Sequence, residues 1–195
     1  MVKHARPVIA ALALLLSAAA GAAEIEGIKL PPRVQLGAAG PELLLNGAGV
    51  RVRLIFNVYI AALYLPAKSE DGEAILRSDK PTRFVMHMLR DLSAESINAS
   101  IEDALRDTLT PEERRPLEAR MARLNSVFDS LRDIKKGTQI TLDYLPLPGT
   151  IVSVNGEEKD RIPGRDFNRA LLRMWLGGSP RDPELRKALL GIGAQ

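Results

Sequence analysis

Residues 45–65 read LNGAGVRVRLIFNVYIAALYL, and this is the most informative stretch of the 195-residue chain. From Val50 to Leu65 the side chains of one parity are almost all apolar, and many are β-branched or aromatic. Alternation with a period of two residues predicts a half-buried strand, or two strands joined at a bulge. Leu43–Leu45 can pair with this segment as a hairpin, with its turn at Asn46-Gly47, a dipeptide favoured in two-residue turns.

The rest of the chain alternates between strand and helix patterns. Further strands are predicted at Thr82–Leu89, Thr138–Leu145, Thr150–Val154 and Lys159–Ile162. Helices are predicted from Ser93 to about Leu109, from Thr110-Pro111 onward, from about Asp166 to Leu176, and from Asp182-Pro183 onward. Strand runs interrupted by two helical blocks indicate an α+β fold, with helices on one face of a largely antiparallel sheet.

The N-terminal 23 residues have the pattern of a secretory signal peptide. A short basic start is followed by an apolar run, Val8 to Leu16, and then by small residues. We expect cleavage after Ala22 or Ala23, a periplasmic or secreted product, and one domain over residues 24–195. The apolar run is shorter than the roughly 20 residues that span a bilayer. We therefore expect no stable membrane span after cleavage, and an uncleaved anchor is the alternative.

Loss of that segment changes the charge balance. The chain has 27 basic and 24 acidic residues and a net charge of +3, which falls to +1 without Lys3 and Arg6. A nearly neutral protein gives no electrostatic reason to expect a nucleic acid partner. The absence of cysteine excludes disulfides, thiolate nucleophiles and cysteine-based zinc sites. With only two histidines as well, we predict no metal and no cofactor.

Conventional catalytic motifs are missing from the sequence. It contains neither a Gly-x-Ser-x-Gly nucleophile motif nor a Gly-x-x-x-x-Gly-Lys-Ser/Thr phosphate loop. The polar side chains of interest are Arg51, Asn57 and Tyr59, which share the second face of the predicted strand. On a straight strand Arg51 and Tyr59 would lie roughly 26 Å apart. They converge only if a turn or bulge lies between them, and otherwise they form a solvent-exposed polar face.

Several segments, taken together and in order, resemble one known family. The segments are residues 45–51 and 58–65, then Arg90-Asp91-Leu92-Ser93, Leu142-Asp143-Tyr144, and Ile162-Pro163-Gly164 leading into Phe167 and the helix end at Leu171–Gly177. They resemble the chalcone isomerase-like family, and most closely its bacterial secreted branch, over about residues 40–191. The resemblance implies an antiparallel sheet with helices layered on one face and a ligand cleft between them.

The resemblance also implies roles for individual residues. True chalcone isomerases hold the substrate oxyanion with an arginine after Gly-x-Gly, and Arg51 matches that position. Four other polar active-site positions are replaced here, one by Tyr59 and three by Ile97, Ala104 and Met174, whose side chains cannot donate a hydrogen bond. These replacements argue against chalcone cyclisation.

Fatty-acid-binding members of the family suggest a different ligand. In that branch an arginine and a tyrosine at these two positions hold the fatty-acid carboxylate, and Arg51 and Tyr59 match both. Ile97, Ala104 and Met174 would then line an apolar slot for the tail. The same three residues would equally suit a filled core without a cavity.

Three functions therefore remain in view. The first is a non-catalytic binder of a fatty acid or a similar small amphipathic acid. The second is an isomerase or intramolecular lyase that acts on a non-flavonoid substrate through Arg51. The third is an envelope scaffold that acts through protein partners. A sizeable apolar cavity reached by Arg51 would favour the first two over the third.

Overall fold

The computed structural model describes residues 23–178 and 181–193 of the chain. The predicted signal peptide, apart from Ala23, lies outside the described residues. Within those residues, no helix has both the length and the apolar character needed to cross a membrane.

The strands form one large sheet and two small ones. In the described chain the strands are β1 (Ala23–Ile25), β2 (Ile28–Leu30), β3 (Arg33–Gln35), β4 (Glu42–Arg53), β5 (Phe56–Leu65), β6 (Thr82–Met88), β7 (Leu92–Ser93), β8 (Asp133–Ile134), β9 (Gln139–Leu145), β10 (Gly149–Val154) and β11 (Glu157–Ile162). The large sheet is antiparallel throughout, in the order β11-β10-β9-β6-β5-β4-β3. The pairs β1–β2 and β7–β8 form the small sheets.

The helices of the described chain are α1 (Gly72–Arg77), α2 (Ala94–Thr108), α3 (Pro111–Arg114), α4 (Glu118–Leu131), α5 (Arg165–Leu176) and α6 (Pro183–Leu189). Three of them, α2, α3 and α6, begin at the capping residues that the sequence predicts. Ser93 caps α2, and Thr110 with Glu113 forms a reciprocal capping box at α3. The helix predicted from Thr110 onward is not continuous, because a 3-10 turn over Arg115–Leu117 separates α3 from α4. Pro116 lies in this turn and cannot donate a helical hydrogen bond.

The turn of the central hairpin is not at the predicted position. β4 runs through Asn46-Gly47, and the two-residue turn is Leu54-Ile55. Asn46 forms a bulge instead, because the pairing with β5 shifts between Leu45 and Gly47. Its buried side chain exchanges hydrogen bonds with the backbone of Ser69 and donates one to the Leu189 carbonyl. These tertiary hydrogen bonds outweigh the local turn preference of Asn-Gly.

Both faces of the large sheet are covered by protein. The larger core lies between the sheet and the helices and includes Phe84, Phe128 and Leu171. A smaller core on the opposite face joins Ile60, Tyr64 and their neighbours to side chains of the N-terminal strands. The observed architecture confirms the predicted α+β fold with the helices on one face.

Two glycines in β4 let α6 pack unusually close to the sheet. A methyl group added at Gly47 would lie 2.0 Å from the Ala188 carbonyl oxygen, and one at Gly49 would lie 2.7 Å from Ala188 Cβ. Only glycine permits this approach of a helix backbone to a strand. Asp182 caps the N-terminus of α6, so the close contact also fixes Asp182 relative to β4.

We predict that Gly47→Ala lowers the free energy of unfolding by about 1–3 kcal/mol, because the added methyl group meets backbone atoms that have no room to move. Chemical denaturation measures this change. Gly178→Ala is the control, because a methyl group there meets no atom within 4 Å. Equal stability of the two variants would contradict the packing role of Gly47.

Candidate functional site

A cavity of about 490 Å³ lies between the sheet and helices α2, α4 and α5. The five residues that the family resemblance assigns to a ligand line it: Arg51, Tyr59, Ile97, Ala104 and Met174. The alternative of a filled core without a cavity is therefore wrong. The volume falls within the range of small-molecule binding sites, about 300–1,000 Å³. Whether these residues hold a ligand remains a prediction.

Arg51 and Tyr59 are brought together by the hairpin. The Leu54-Ile55 turn lies between them and makes them directly opposed partners on β4 and β5. The roughly 26 Å separation expected on a straight strand is thereby removed. Asn57 does not join them, because the pairing shifts after Arg51 and places Asn57 opposite Val52, on the other face. The prediction of a common face for all three residues is thus wrong for Asn57.

Arg51 is paired with an acidic residue from the far end of the chain. Its Nη1 donates to Asp182 Oδ2 at 2.9 Å, and both side chains are half-buried. Asp182 Oδ1 meanwhile accepts from the backbone N–H of Leu185, which caps α6. A guanidinium has five N–H donors, and Arg51 has no second acceptor among the described residues. Arg51 is therefore held in place and keeps donors for another carboxylate.

Tyr59 is held by Trp175 of α5. Trp175 Nε1 donates to the Tyr59 hydroxyl oxygen at 2.8 Å, and the indole packs against Phe84 with ring centroids 4.1 Å apart. Burial raises the pKa of Tyr59, although the Trp175 hydrogen bond and the Arg51 charge oppose the rise. The phenol thus stays neutral near pH 7, and its proton has no acceptor among the described residues. That proton can be donated to a ligand near Arg51.

The inner part of the cavity is apolar. Its buried lining residues are Met86, Met88, Leu124, Phe128, Ile140, Leu142, Leu171 and Met174. Ile97, Ile101 and Ala104 of α2 also line it, and they are only half-buried because they face the empty space. Methionine side chains are flexible and fit irregular apolar surfaces. Such a lining suits a flexible hydrocarbon chain.

The mouth of the cavity combines charged and polar side chains with two exposed apolar ones, Leu54 and Phe56. Its exposed lining residues are Arg53, Leu54, Phe56, Arg90, Ser96, Ser100, Asp103 and Arg181. Arg181 is bound to Asp103 and Asp107 of α2. The Arg90 guanidinium lies 4.8 Å from the centre of the Phe56 ring, close enough for a cation–π interaction. In the part of the chain that the structure describes, neither Arg53 nor Arg90 has a carboxylate partner within 4 Å.

The described part of the chain offers no cluster of side chains for a metal ion. Among residues 23–178 and 181–193, no three His, Cys, Asp or Glu side chains are grouped to hold a metal ion. His87 in β6 does not line the cavity, and burial lowers the pKa of its ring. The chemistry that the cavity offers directly is recognition of an anionic group by Arg51 and Tyr59.

Sequence reasoning missed the partners of the two polar residues. Asp182 was recognised only as a helix cap, and nothing in the sequence connects it to Arg51, 131 positions away. Trp175 packs on Phe84, and it also donates a hydrogen bond to Tyr59. Both contacts depend on how α5 and α6 dock on the sheet.

Comparison with solved structures supports the fold. A fatty-acid binding protein from Arabidopsis thaliana matches with a TM-score of 0.68, over 84% of this chain and 92% of that protein, at 15% sequence identity. At that identity the likeness establishes the shared fold alone. No curated protein matches the chain in sequence.

Comparison with family models covers almost the entire described chain. The model described as chalcone isomerase-like matches residues 22–191, which include the glycine-rich strand, the cavity and the docked C-terminal helix. This chain therefore belongs to the chalcone isomerase-like family.

Proposed function

We propose that this protein is a non-catalytic binder of a fatty acid or a similar small amphipathic acid. The observation that carries the proposal is an apolar cavity of about 490 Å³ with Arg51 and Tyr59 side by side on its wall. The ligand carboxylate binds these two residues, and the hydrocarbon tail occupies the space among α2, α5 and the sheet.

The two polar residues suit a carboxylate chemically. Arginine presents a planar set of donors that matches the two carboxylate oxygens, and it stays charged at any physiological pH. The neutral Tyr59 phenol adds a second type of donor. A hydrogen bond to a charged group contributes about 1.5–3 kcal/mol net, so this end of the ligand fixes its orientation.

The tail supplies most of the affinity in this account. Burial of one methylene group contributes about 0.8 kcal/mol, so a twelve-carbon tail offers roughly 9 kcal/mol before the costs of ordering are subtracted. Ile97, Ala104 and Met174 contribute apolar surface at positions where true chalcone isomerases have polar groups. These apolar replacements therefore favour a site that binds a hydrocarbon tail over the active site of an isomerase.

A protein of the same fold agrees with a binder. The matching Arabidopsis protein is a fatty-acid binding protein, and this chain shares its fold. We further propose that the protein acts after export, in the periplasm or outside the cell. That part of the proposal rests on the signal-peptide pattern of residues 1–23.

We predict that Arg51→Ala weakens binding of dodecanoate by roughly 10- to 100-fold, because the charged hydrogen bonds to the carboxylate are lost. Binding of dodecanol, which has the same tail and no charge, should change by less than about threefold. Isothermal titration calorimetry with both ligands measures the difference.

Arg83→Ala is the matched control for that experiment. Arg83 forms a similarly half-buried pair with Asp143, but neither residue lines the cavity. This variant should lose stability without changing the preference for the acid over the alcohol. Equal loss of acid and alcohol in Arg51→Ala would count against a carboxylate role for Arg51. Turnover of a chalcone that depends on Arg51 would show that the protein is an isomerase and not a non-catalytic binder.

We also predict that Asp182→Asn strengthens dodecanoate binding about fivefold at low salt, because it removes a negative charge beside the ligand carboxylate. Asparagine caps a helix as well as aspartate does, so α6 should remain docked. Titrations at low and high salt test this, since salt screens the charge effect. A loss of affinity would show instead that the Asp182 charge is needed to orient Arg51.

A further inference from the structure

The tip of the central hairpin exposes a cluster of apolar side chains. In the described part of the chain, six large apolar side chains are strongly exposed, and four of them lie within residues 52–56. These four are Val52, Leu54, Ile55 and Phe56, here named the tip cluster. Leu54 and Ile55 are 88% and 85% exposed. Exposed apolar patches of this kind mark sites of interaction with partners or membranes.

Leu54 is also an unfavourable residue for its turn. Its φ angle is 57°, in the left-handed region that glycine, asparagine and aspartate adopt far more readily. One of those residues would relieve the backbone strain and suit the contact with water. The turn itself therefore does not account for the leucine.

Positive charge accompanies the tip cluster. Arg53 lies between Val52 and Leu54 in the sequence, and Arg90 lies against the ring of Phe56. The chain has no acidic residue between Glu42 and Glu70. Of the acids from other segments, Asp91 lies 3.2 Å from Lys135, whereas Glu26 accepts only from the neutral Asn57 amide and keeps its negative charge. Two arginines against one unpaired carboxylate leave this end of the hairpin net positive. Apolar side chains flanked by arginine are typical of surfaces that enter the headgroup region of anionic membranes.

The tip cluster also adjoins the cavity. Arg53, Leu54 and Phe56 line its mouth. Starting from the proposed function, we propose that the tip cluster inserts into the surface of a bilayer containing anionic lipids, and that the acyl ligand passes between bilayer and cavity at this point. The arginines contact lipid headgroups, while Leu54, Ile55 and Phe56 contact the upper part of the acyl chains.

A lipid surface fits the tip cluster better than a protein does. A stable protein interface uses about 20–30 residues from each side, whereas the apolar surface here is limited to four residues on one turn. Insertion of a few apolar side chains, supported by nearby cations, is sufficient for reversible binding to a membrane.

The absence of cysteine allows a test that reports on the tip alone. Ile55→Cys in the full chain is labelled with the polarity-sensitive fluorophore NBD. Leu147→Cys is the matched control, because Leu147 is 89% exposed and lies at the opposite end of the sheet, in the β9–β10 turn. Vesicles of phosphatidylcholine, with or without about one third phosphatidylglycerol, are then added. We expect emission at position 55 to shift to the blue and rise at least about threefold with the anionic vesicles, with little change at position 147.

A second measurement separates this inference from the proposed function. Val52→Thr with Ile55→Ser alters two tip residues that do not line the cavity, so dodecanoate affinity in solution should stay within about twofold of the unaltered protein.

An unresponsive probe at position 55 in a protein that binds dodecanoate would overturn membrane docking alone. Insertion at position 55 without dodecanoate binding would overturn the proposed function alone. Equal responses at positions 55 and 147, or a blue shift at 55 on self-association without vesicles, would also refute membrane docking.

Discussion

The close approach of α6 to β4 determines the geometry of the site. Gly47 and Gly49 leave room for the backbone and Cβ of Ala188, and the Asn46 side chain binds the end of the same helix. The N-terminus of α6 then places Asp182 beside Arg51. Strand register places Tyr59 opposite Arg51 on β5. The glycine pair is thus a packing surface, and its consequence is the placement of one charged pair.

The Arg51–Asp182 pair also offsets the cost of burying part of the Arg51 side chain. A half-buried arginine without a partner would lose hydration without compensation. Asp182 supplies that partner and occupies only part of the guanidinium. In the proposed function, a ligand carboxylate binds the remaining donors while α6 stays capped. The proposal then implies repulsion between the ligand carboxylate and Asp182, so the apolar tail provides most of the affinity.

Features with local causes could be predicted from the sequence, and features that depend on docking could not. The caps at Ser93, Thr110 and Asp182 are local hydrogen bonds, and each helix begins as expected. The sequence predicts the hairpin turn at the wrong position because tertiary contacts, and not the local turn preference, set the conformation of Asn46-Gly47. The observed turn places Leu54 at a positive φ angle, which sequence rules disfavour for leucine. The family resemblance, and not the residue pattern, predicts that Ile97, Ala104 and Met174 line a cavity. Apolar residues of these types are equally common in a filled core. Whether the space among them is empty depends on the relative positions of the sheet and three helices.

Native mass spectrometry of the protein purified without detergent tests the central claim most directly, because it reports whether the cavity holds an acid. The account predicts one bound acyl acid per chain, or one dodecanoate per chain after incubation, and loss of that mass in Arg51→Ala under the same gentle conditions. A protein that stays free of any bound acid after incubation with dodecanoate would contradict it.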